Sequence, residues 1–315
     1  MDLIFNQITK HSRSNRSNNI ATPRESDNEK HQNPNLAGTR FTRERNMPFI
    51  SVILSRGFYC FPTEQSYERY LANSRKFDNL DDDGLGVPLF QMLDFSAIQI
   101  LADKKLPDYR FYKYVLRKSG DPPPYQQHEL ISTDGNKRLY KLLFCEAFRS
   151  RLGLTKLEYR FTFYTDEGIF TTVMIRRTQT RSIDTHFGGC NLRWKTSEPF
   201  LSPIFSRNFK LQILDDNMPS LLDDDDTRRR KNGPVRKSSQ LPLWARYFAD
   251  TATVIPKKRT QKLANLVIGE TEEETNPASY GLGYIPWATQ VLACTCMVLH
   301  HLEDERRQRK RRSNG

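Results

Sequence analysis

The chain has 315 residues, a hydrophobic fraction of 37% and a formal net charge of +12. The hydrophobic fraction lies below the roughly 45–50% of typical globular domains, so segments poor in apolar residues must dilute an ordinary core. The length fits one large domain or two small ones, and the basic balance favours acidic partners such as phospholipid headgroups or nucleic acid.

The start of the chain indicates an intracellular protein with a disordered arm. Residues 1–6 contain neither a basic segment nor a long apolar run, so we expect no secretory signal. The five cysteines are scattered, and we interpret them as reduced thiols of a cytoplasmic protein. Residues 1–47 are rich in Asn, Ser, Arg and Glu, which predicts a disordered N-terminal arm.

Alternating apolar and polar residues predict β-strands from about residue 48 onward. The clearest strand is 156–164, where every second residue is apolar, followed by the turn Asp166-Glu167-Gly168 and a return strand over 169–177. Similar segments predict further strands at 49–54, 110–117, 139–148, 191–195, 209–214 and 262–268. Many short strands separated by turn residues favour a sandwich or a barrel.

Residues 215–240 interrupt this pattern with opposite charge blocks. An acidic run at 223–226 precedes a basic run at 228–231 in a setting of Ser, Pro, Gly and Asn. We predict a charged, disordered insertion in the β-rich domain.

The end of the chain carries its longest uncharged segment, residues 275–302. Pro286 suits a first helical position, and the helix predicted after it is apolar nearly all round, which requires burial in lipid or in a protein core. Pro286 to Leu302 spans only about 25 Å at 1.5 Å per residue and includes Thr, Gln and His. These features favour a core helix, with a tail anchor over residues 285–302 as the alternative.

Short motifs in the chain do not assemble into a metal or catalytic site. Cys294 and Cys296 point to nearly opposite sides of a helix and lack a second Cys/His pair, so we interpret them as packing residues. The acidic run at 79–84 begins like a calcium loop but has Phe90 where the bidentate Glu belongs, which favours a solvated turn. We therefore predict a non-enzymatic protein with no cofactor and no metal.

Two basic groups are candidates for contacting phosphate. The first follows neighbouring predicted strands and comprises Arg176, Arg177, Arg181, Arg193 and Lys195. An ordinary solvated outer face explains this group equally well. The second is the tail after residue 302, with Arg306, Arg307, Arg309, Lys310, Arg311 and Arg312. Such a tail suits an anionic membrane, nucleic acid or nuclear localisation, and also mere solubility.

The order of a β-rich region and a nearly uncharged C-terminal helix resembles the tubby C-terminal-like superfamily, which includes tubby, phospholipid scramblases and LURP-one-related proteins. The hairpin at 166–175 is similar to a mid-barrel hairpin of that group. The segment 188–194 followed by Pro199-Phe200 is similar to a strand start in its fungal members. The resemblance covers residues 48–302. It implies a closed antiparallel barrel of about twelve strands around a buried C-terminal helix, with the 303–315 tail outside.

The resemblance also implies a function at the level of ligand class. We expect a lipid-responsive or protein-interaction module whose partner is an anionic phospholipid surface, contacted by Arg and Lys on the outer barrel face. The expected location is then cytoplasmic and peripheral at membranes. The alternative from the basic ends is a nuclear, nucleic-acid-associated protein.

Overall fold

The fold was analysed in a computed structural model of the chain. It describes residues 41–73, 77–95, 99–100, 103, 105–177, 182–196, 208–215, 217–231, 241–250, 259–271 and 279–313. Residues 1–40 of the predicted arm lie outside this range.

Thirteen strands and three helices make up the described fold. The strands are β1 (Arg43–Val52), β2 (Phe58–Cys60), β3 (Phe90–Asp94), β4 (Tyr109–Lys118), β5 (His128–Asp134), β6 (Lys137–Leu152), β7 (Lys156–Thr165), β8 (Gly168–Arg177), β9 (Ile183–Phe187), β10 (Cys190–Thr196), β11 (Asn208–Ile213), β12 (Leu243–Ala249) and β13 (Thr260–Glu270). The helices are α1 (Glu64–Ala72), α2 (Asp225–Arg230) and α3 (Trp287–Ser313).

Antiparallel pairing closes twelve of these strands into a barrel. The order is β4-β3-β2-β1-β13-β12-β11-β10-β9-β8-β7-β6, and β6 pairs with β4 to complete the ring. Strand β5 pairs with the first half of β6. The predicted barrel of about twelve strands is thus confirmed.

The first part of α3 fills the barrel. A ring of twelve strands is too wide to be filled by its own side chains, so a further element must occupy the interior. Every residue from Val291 to Leu299 is fully buried, and the rings of Phe144, Phe163 and Phe170 surround Trp287 at centroid distances of 5.6 to 5.8 Å. The predicted core helix is confirmed, and Cys294 and Cys296 are packing residues within it.

Three polar side chains on the buried helix have hydrogen-bond partners on the barrel wall or on the helix backbone. Thr289 donates to Glu270 Oε1 at 2.7 Å, and His300 Nδ1 lies 2.6 Å from the hydroxyl of Tyr247. Thr295 donates to the carbonyl of Leu292 at 2.9 Å. These bonds offset the cost of removing polar groups from water.

The acidic turn at 79–84 fixes the segment that leads into α3. Asp83 accepts hydrogen bonds from the amide of Gly281 at 2.7 Å and from the hydroxyl of Ser279, and its carbonyl accepts from the amide of Leu282. A Cβ on Gly281 would lie 2.2 Å from the carbonyl oxygen of Asp83, so only glycine permits this approach. The predicted solvated turn therefore holds the segment before α3 through hydrogen bonds, and we call these contacts between Asp83 and residues 279–282 the clasp.

The barrel begins earlier than the predicted boundary at residue 48. Strand β1 starts at Arg43, and Met47 is fully buried. Arg43 and Arg45 both form ion pairs with the buried carboxylate of Glu270 on β13, which compensates the charges. The polar segment that was predicted to be disordered therefore includes, from Arg43 onward, the start of a paired strand.

Part of the charged insertion is ordered, contrary to its prediction as disordered. Ser220 and Leu221 donate to the buried carboxylate of Asp184, and Met218 packs with Leu214 and Leu241. The acidic block caps α2, because the side chain of Asp224 accepts from the amide of Thr227. Residues 216 and 232–240 of the insertion lie outside the described range.

Helix α3 does not end at residue 302 but continues to Ser313, so the basic tail is helical. Ion pairs one turn apart, such as Arg309–Glu305 at 3.2 Å, stabilise this extension. In the described residues, no helix combines the length and apolar character needed to cross a bilayer. The structure places the segment of the tail-anchor alternative, residues 285–302, within the barrel, where Val291 to Leu299 are fully buried.

Candidate functional site

A basic cleft of about 500 Å³ lies where α3 leaves the barrel. One wall is the rim formed by β6, β7 and β8, and the other is the projecting part of α3. The lining residues are Arg149, Ser150, Arg151, Leu157, Tyr159, Arg176, Leu302, Glu305, Arg306, Arg309 and Lys310.

The strand pairing places the side chains of Arg151 and Arg176, the rim arginines, on the inner face of the barrel. Arg151, Leu157 and Arg176 are cross-strand neighbours on β6, β7 and β8, so they share one face. That row continues to Ile183 of β9, which is buried inside the barrel. These arginines therefore occupy inward positions at the barrel mouth.

The cleft holds more positive charge than its carboxylates neutralise. Arg149 pairs with Asp108 at 3.2 Å, and the helix cations Arg306 and Arg309 pair with glutamates of α3. Within the described part of the chain, no carboxylate lies within 4.0 Å of Arg151, Arg176 or Lys310. Three cations without a counter-charge thus face one cavity, which favours an anionic ligand.

Tyr159 places an unsatisfied hydroxyl in the same cleft. Its side chain is fully buried, and its hydroxyl has no hydrogen-bond partner among the described residues. Burial is the main cause that raises the pKa of Tyr159, so it remains a neutral donor. A buried polar group without a partner is costly, and a ligand oxygen that accepts from it removes that cost.

The structure brings together residues from both predicted basic groups. Arg176 from the strand group meets Arg306, Arg309 and Lys310 from the tail group in one cleft. Arg177 lies on the opposite side of β8 from Arg176, because successive strand residues alternate. The lining does not include Arg307, Arg311 or Arg312, and Arg181 lies outside the described residues.

Arg193 and Lys195 of the predicted strand group do not line the cleft. Arg193 makes two 2.7 Å hydrogen bonds to the carboxylate of Asp184 and a third to the carbonyl of Pro219. It holds the 217–231 segment against the barrel with three of its five N–H donors. Lys195 is exposed beside Lys210 on the outer face, away from the cleft.

Sequence reasoning missed Arg149, Arg151 and Tyr159. The predicted strand ended at residue 148, whereas β6 runs to Leu152. The inward phase of β6 passes through Cys145 and Ala147 and continues through both arginines. The alternation of inward and outward residues continues past Phe148, and following it would have identified Arg149 and Arg151 as inward-facing cations.

Two other kinds of site, a metal site and a second basic cavity, were compared with this cleft among the described residues. No group of three or more His, Cys, Asp or Glu side chains is placed to hold a metal ion in the part of the chain that the structure describes. A smaller cavity of about 250 Å³ lies beside Arg43 and Arg45, but both arginines bind Glu270. The cleft at the helix exit is the better candidate.

Comparison with known proteins gives a family. Three relatives from Saccharomyces cerevisiae each align with 86% of this chain: uncharacterized protein YNL165W at 37% identity over 72% of its length, uncharacterized protein YOR385W at 31% over 90%, and Protein DIA1 at 29% over 82%. No solved structure matches the chain. The DIA1 family model matches residues 40–308, which include the whole barrel and the helical tail as far as Gln308, and the chain therefore belongs to the DIA1 family.

Proposed function

We propose that the protein is a non-enzymatic binding module for anionic phospholipid surfaces, and that the cleft at the helix exit takes a headgroup phosphate. One observation carries the proposal. Arg151, Arg176 and Lys310, which have no counter-charge among the described residues, converge there with the Tyr159 hydroxyl, which has no hydrogen-bond partner among them. Phosphate oxygens accept hydrogen bonds from all three kinds of group, and guanidinium binds phosphate with high geometric specificity.

The barrel with its enclosed helix is compatible with the tubby-like resemblance, from which lipid binding comes only as a class-level expectation. Our proposal differs from that expectation in the location of the site. The converging cations lie at the barrel mouth and on α3 rather than on the outer barrel face. A peripheral position at a cytoplasmic membrane surface follows from the proposal, since anionic lipids attract basic segments there.

Vesicle flotation tests the proposal. The probes are phosphatidylcholine vesicles with and without phosphatidylserine or phosphoinositide. We expect the wild type to float only with the anionic vesicles, and less as salt increases. Arg151→Glu/Arg176→Glu should weaken binding by roughly a thousandfold, since each cation near an anionic surface contributes about 1 kcal/mol and reversal doubles the change.

Lys118→Glu/Arg138→Glu is the matched control, because it changes the net charge equally on β4 and β6 at the end of the barrel opposite the helix exit. We expect the control to bind nearly as well as the wild type. An equal loss in both variants, or no binding of the wild type to any anionic vesicle, contradicts the proposal. Salt-dependent binding to duplex DNA or RNA without vesicle binding instead favours the nucleic-acid alternative.

A further inference from the structure

We infer that two apolar hairpin tips at the helix-exit end of the barrel insert into the membrane interface. The tips are residues 53–54 between β1 and β2, and residues 152–154 between β6 and β7. This inference rests on the proposed function and adds which end of the molecule meets the bilayer and how deeply.

Both tips expose large apolar side chains. Leu154 is fully exposed and Leu54 is 95% exposed, the two highest values among the large hydrophobic residues of the described chain. Ile53 and Leu152 beside them are also exposed. Single exposed leucines are common on protein surfaces. Two apolar pairs at hairpin tips on one end of a barrel form a pattern that requires a reason.

The strand pairing and ring packing place both tips at the end where α3 emerges. His300 packs against Phe58, the first residue of β2, at a centroid distance of 5.0 Å, which puts the β1–β2 hairpin beside the helix exit. Leu152 pairs with Lys156 directly after the cleft residue Arg151. Two strands, β3 and β4, separate the hairpins around the ring, which is roughly 20 Å of arc at about 4.8 Å per strand.

The β1–β2 tip is a turn that backbone hydrogen bonds hold in one conformation. The amide of Ile53 donates to the carbonyl of Arg259 at 2.8 Å, and the amide of Ser55 donates to the carbonyl of Val52 at 3.0 Å. Leu54 has a φ of 71°, a left-handed conformation that costs a branched side chain about 1 kcal/mol relative to glycine. A strained backbone that holds a leucine in solvent is explained when the leucine has a partner.

Charge complementarity selects an anionic bilayer as that partner. Arg151 and Lys156 flank the β6–β7 tip, and exposed Arg56 follows the β1–β2 tip. The basic turns of α3 leave the barrel at the same end. An apolar tip within a basic ring lets leucines enter the acyl boundary while cations contact headgroups.

The opposite end of the barrel provides the contrast. Its β7–β8 hairpin exposes Ile169 at 70%, yet the turn before it is Asp166-Glu167. An anionic membrane repels that tip, so the exposed apolar residue Ile169 there serves as a control.

Two variant pairs separate insertion from electrostatic binding. Leu54→Ser/Leu154→Ser keeps every charge and should weaken binding to phosphatidylcholine/phosphatidylserine vesicles roughly tenfold, from the loss of apolar burial. Tyr125→Ser/Ile169→Ser removes exposed apolar groups at the opposite end and should bind like the wild type. Thermal unfolding of all variants checks that each is folded.

Tryptophan fluorescence reports the depth of the tip. Leu154→Trp should shift its emission to the blue on vesicle binding and be quenched by brominated lipid, whereas Ile169→Trp should do neither. If the wild type binds anionic vesicles but Leu54→Ser/Leu154→Ser binds equally well and Leu154→Trp shows no shift, insertion is wrong and the proposed function stands. If the wild type binds no anionic vesicle, both fail.

Discussion

His300 lies inside the barrel, where its Nδ1 meets the hydroxyl of Tyr247 at 2.6 Å and its ring packs against Phe49 and Phe58. Burial lowers the pKa of His300 to about 4. In the unfolded chain the same group titrates near its ordinary value of about 6.5. Between these two values the unfolded chain holds the proton and the folded chain does not. The free energy of unfolding therefore falls as the pH falls through this window.

We predict that His300→Gln removes this pH dependence while an amide oxygen still accepts from Tyr247. Between pH 7 and pH 5 the wild type should lose about 2 kcal/mol more of its unfolding free energy than the variant. Urea titrations at the two pH values measure the difference. The exposed His128→Gln serves as the control and should keep the wild-type slope. Parallel slopes for wild type and His300→Gln would contradict the prediction.

At the scale of elements, strands with regular apolar alternation were predictable from the sequence, whereas ordered segments of polar composition were not. The alternation over 156–177 predicted β7 and β8 and their turn, because one buried face fixes a period of two. The same reasoning missed α1, whose N-cap Thr63 precedes a polar segment that packs beside β1. It also assigned Arg43 and Arg45 to the disordered arm. Both belong to β1, where they form ion pairs with Glu270, a residue that is far away along the chain.

The cleft was predictable in its parts but not in its assembly. Both basic groups were identified along the sequence, yet nothing local indicates that Arg176 faces Lys310 across one cavity. That proximity depends on ring closure between β4 and β6 and on where α3 emerges. The ion pair of Arg193 was not predictable for a related reason, because its partner Asp184 becomes a neighbour only through the β9–β10 pairing.

The clasp between the acidic turn and the start of α3 yields a prediction for that element. Gly281→Ala forces a Cβ to within 2.2 Å of the Asp83 carbonyl oxygen, so the segment must move away from its hydrogen bonds. We expect a loss of about 2 kcal/mol in the free energy of unfolding, typical of a steric conflict with backbone. Chemical denaturation measures it. Gly120→Ala, where no atom lies within 4 Å of the new Cβ, should be nearly neutral. An equal effect of the two substitutions would show that the clasp does not constrain α3.

For the whole molecule, α3 divides into a part that completes the core and a part that stands outside it. Residues 289–300, Leu302 and Glu303 are buried, whereas residues 308–313 are exposed. The barrel should therefore fold without the last residues, while the cleft loses part of one wall. The match of the DIA1 family model to residue 308 includes the core part and the beginning of the projecting part.

We predict that a chain ending at Gln308 keeps the thermal midpoint of the full chain and loses vesicle binding. It lacks Arg309 and Lys310 of the cleft and also Arg311 and Arg312. Flotation with phosphatidylserine vesicles should fall by more than about tenfold, at about 1 kcal/mol for each cation near the surface. Arg311→Gln/Arg312→Gln distinguishes general charge from the cleft, since both residues lie outside its lining, and it should bind more strongly than Arg309→Gln/Lys310→Gln. If the two pairs are equally impaired, the helix acts through net charge alone and the cleft is not the site. If the truncated chain unfolds, the last turns of α3 belong to the core.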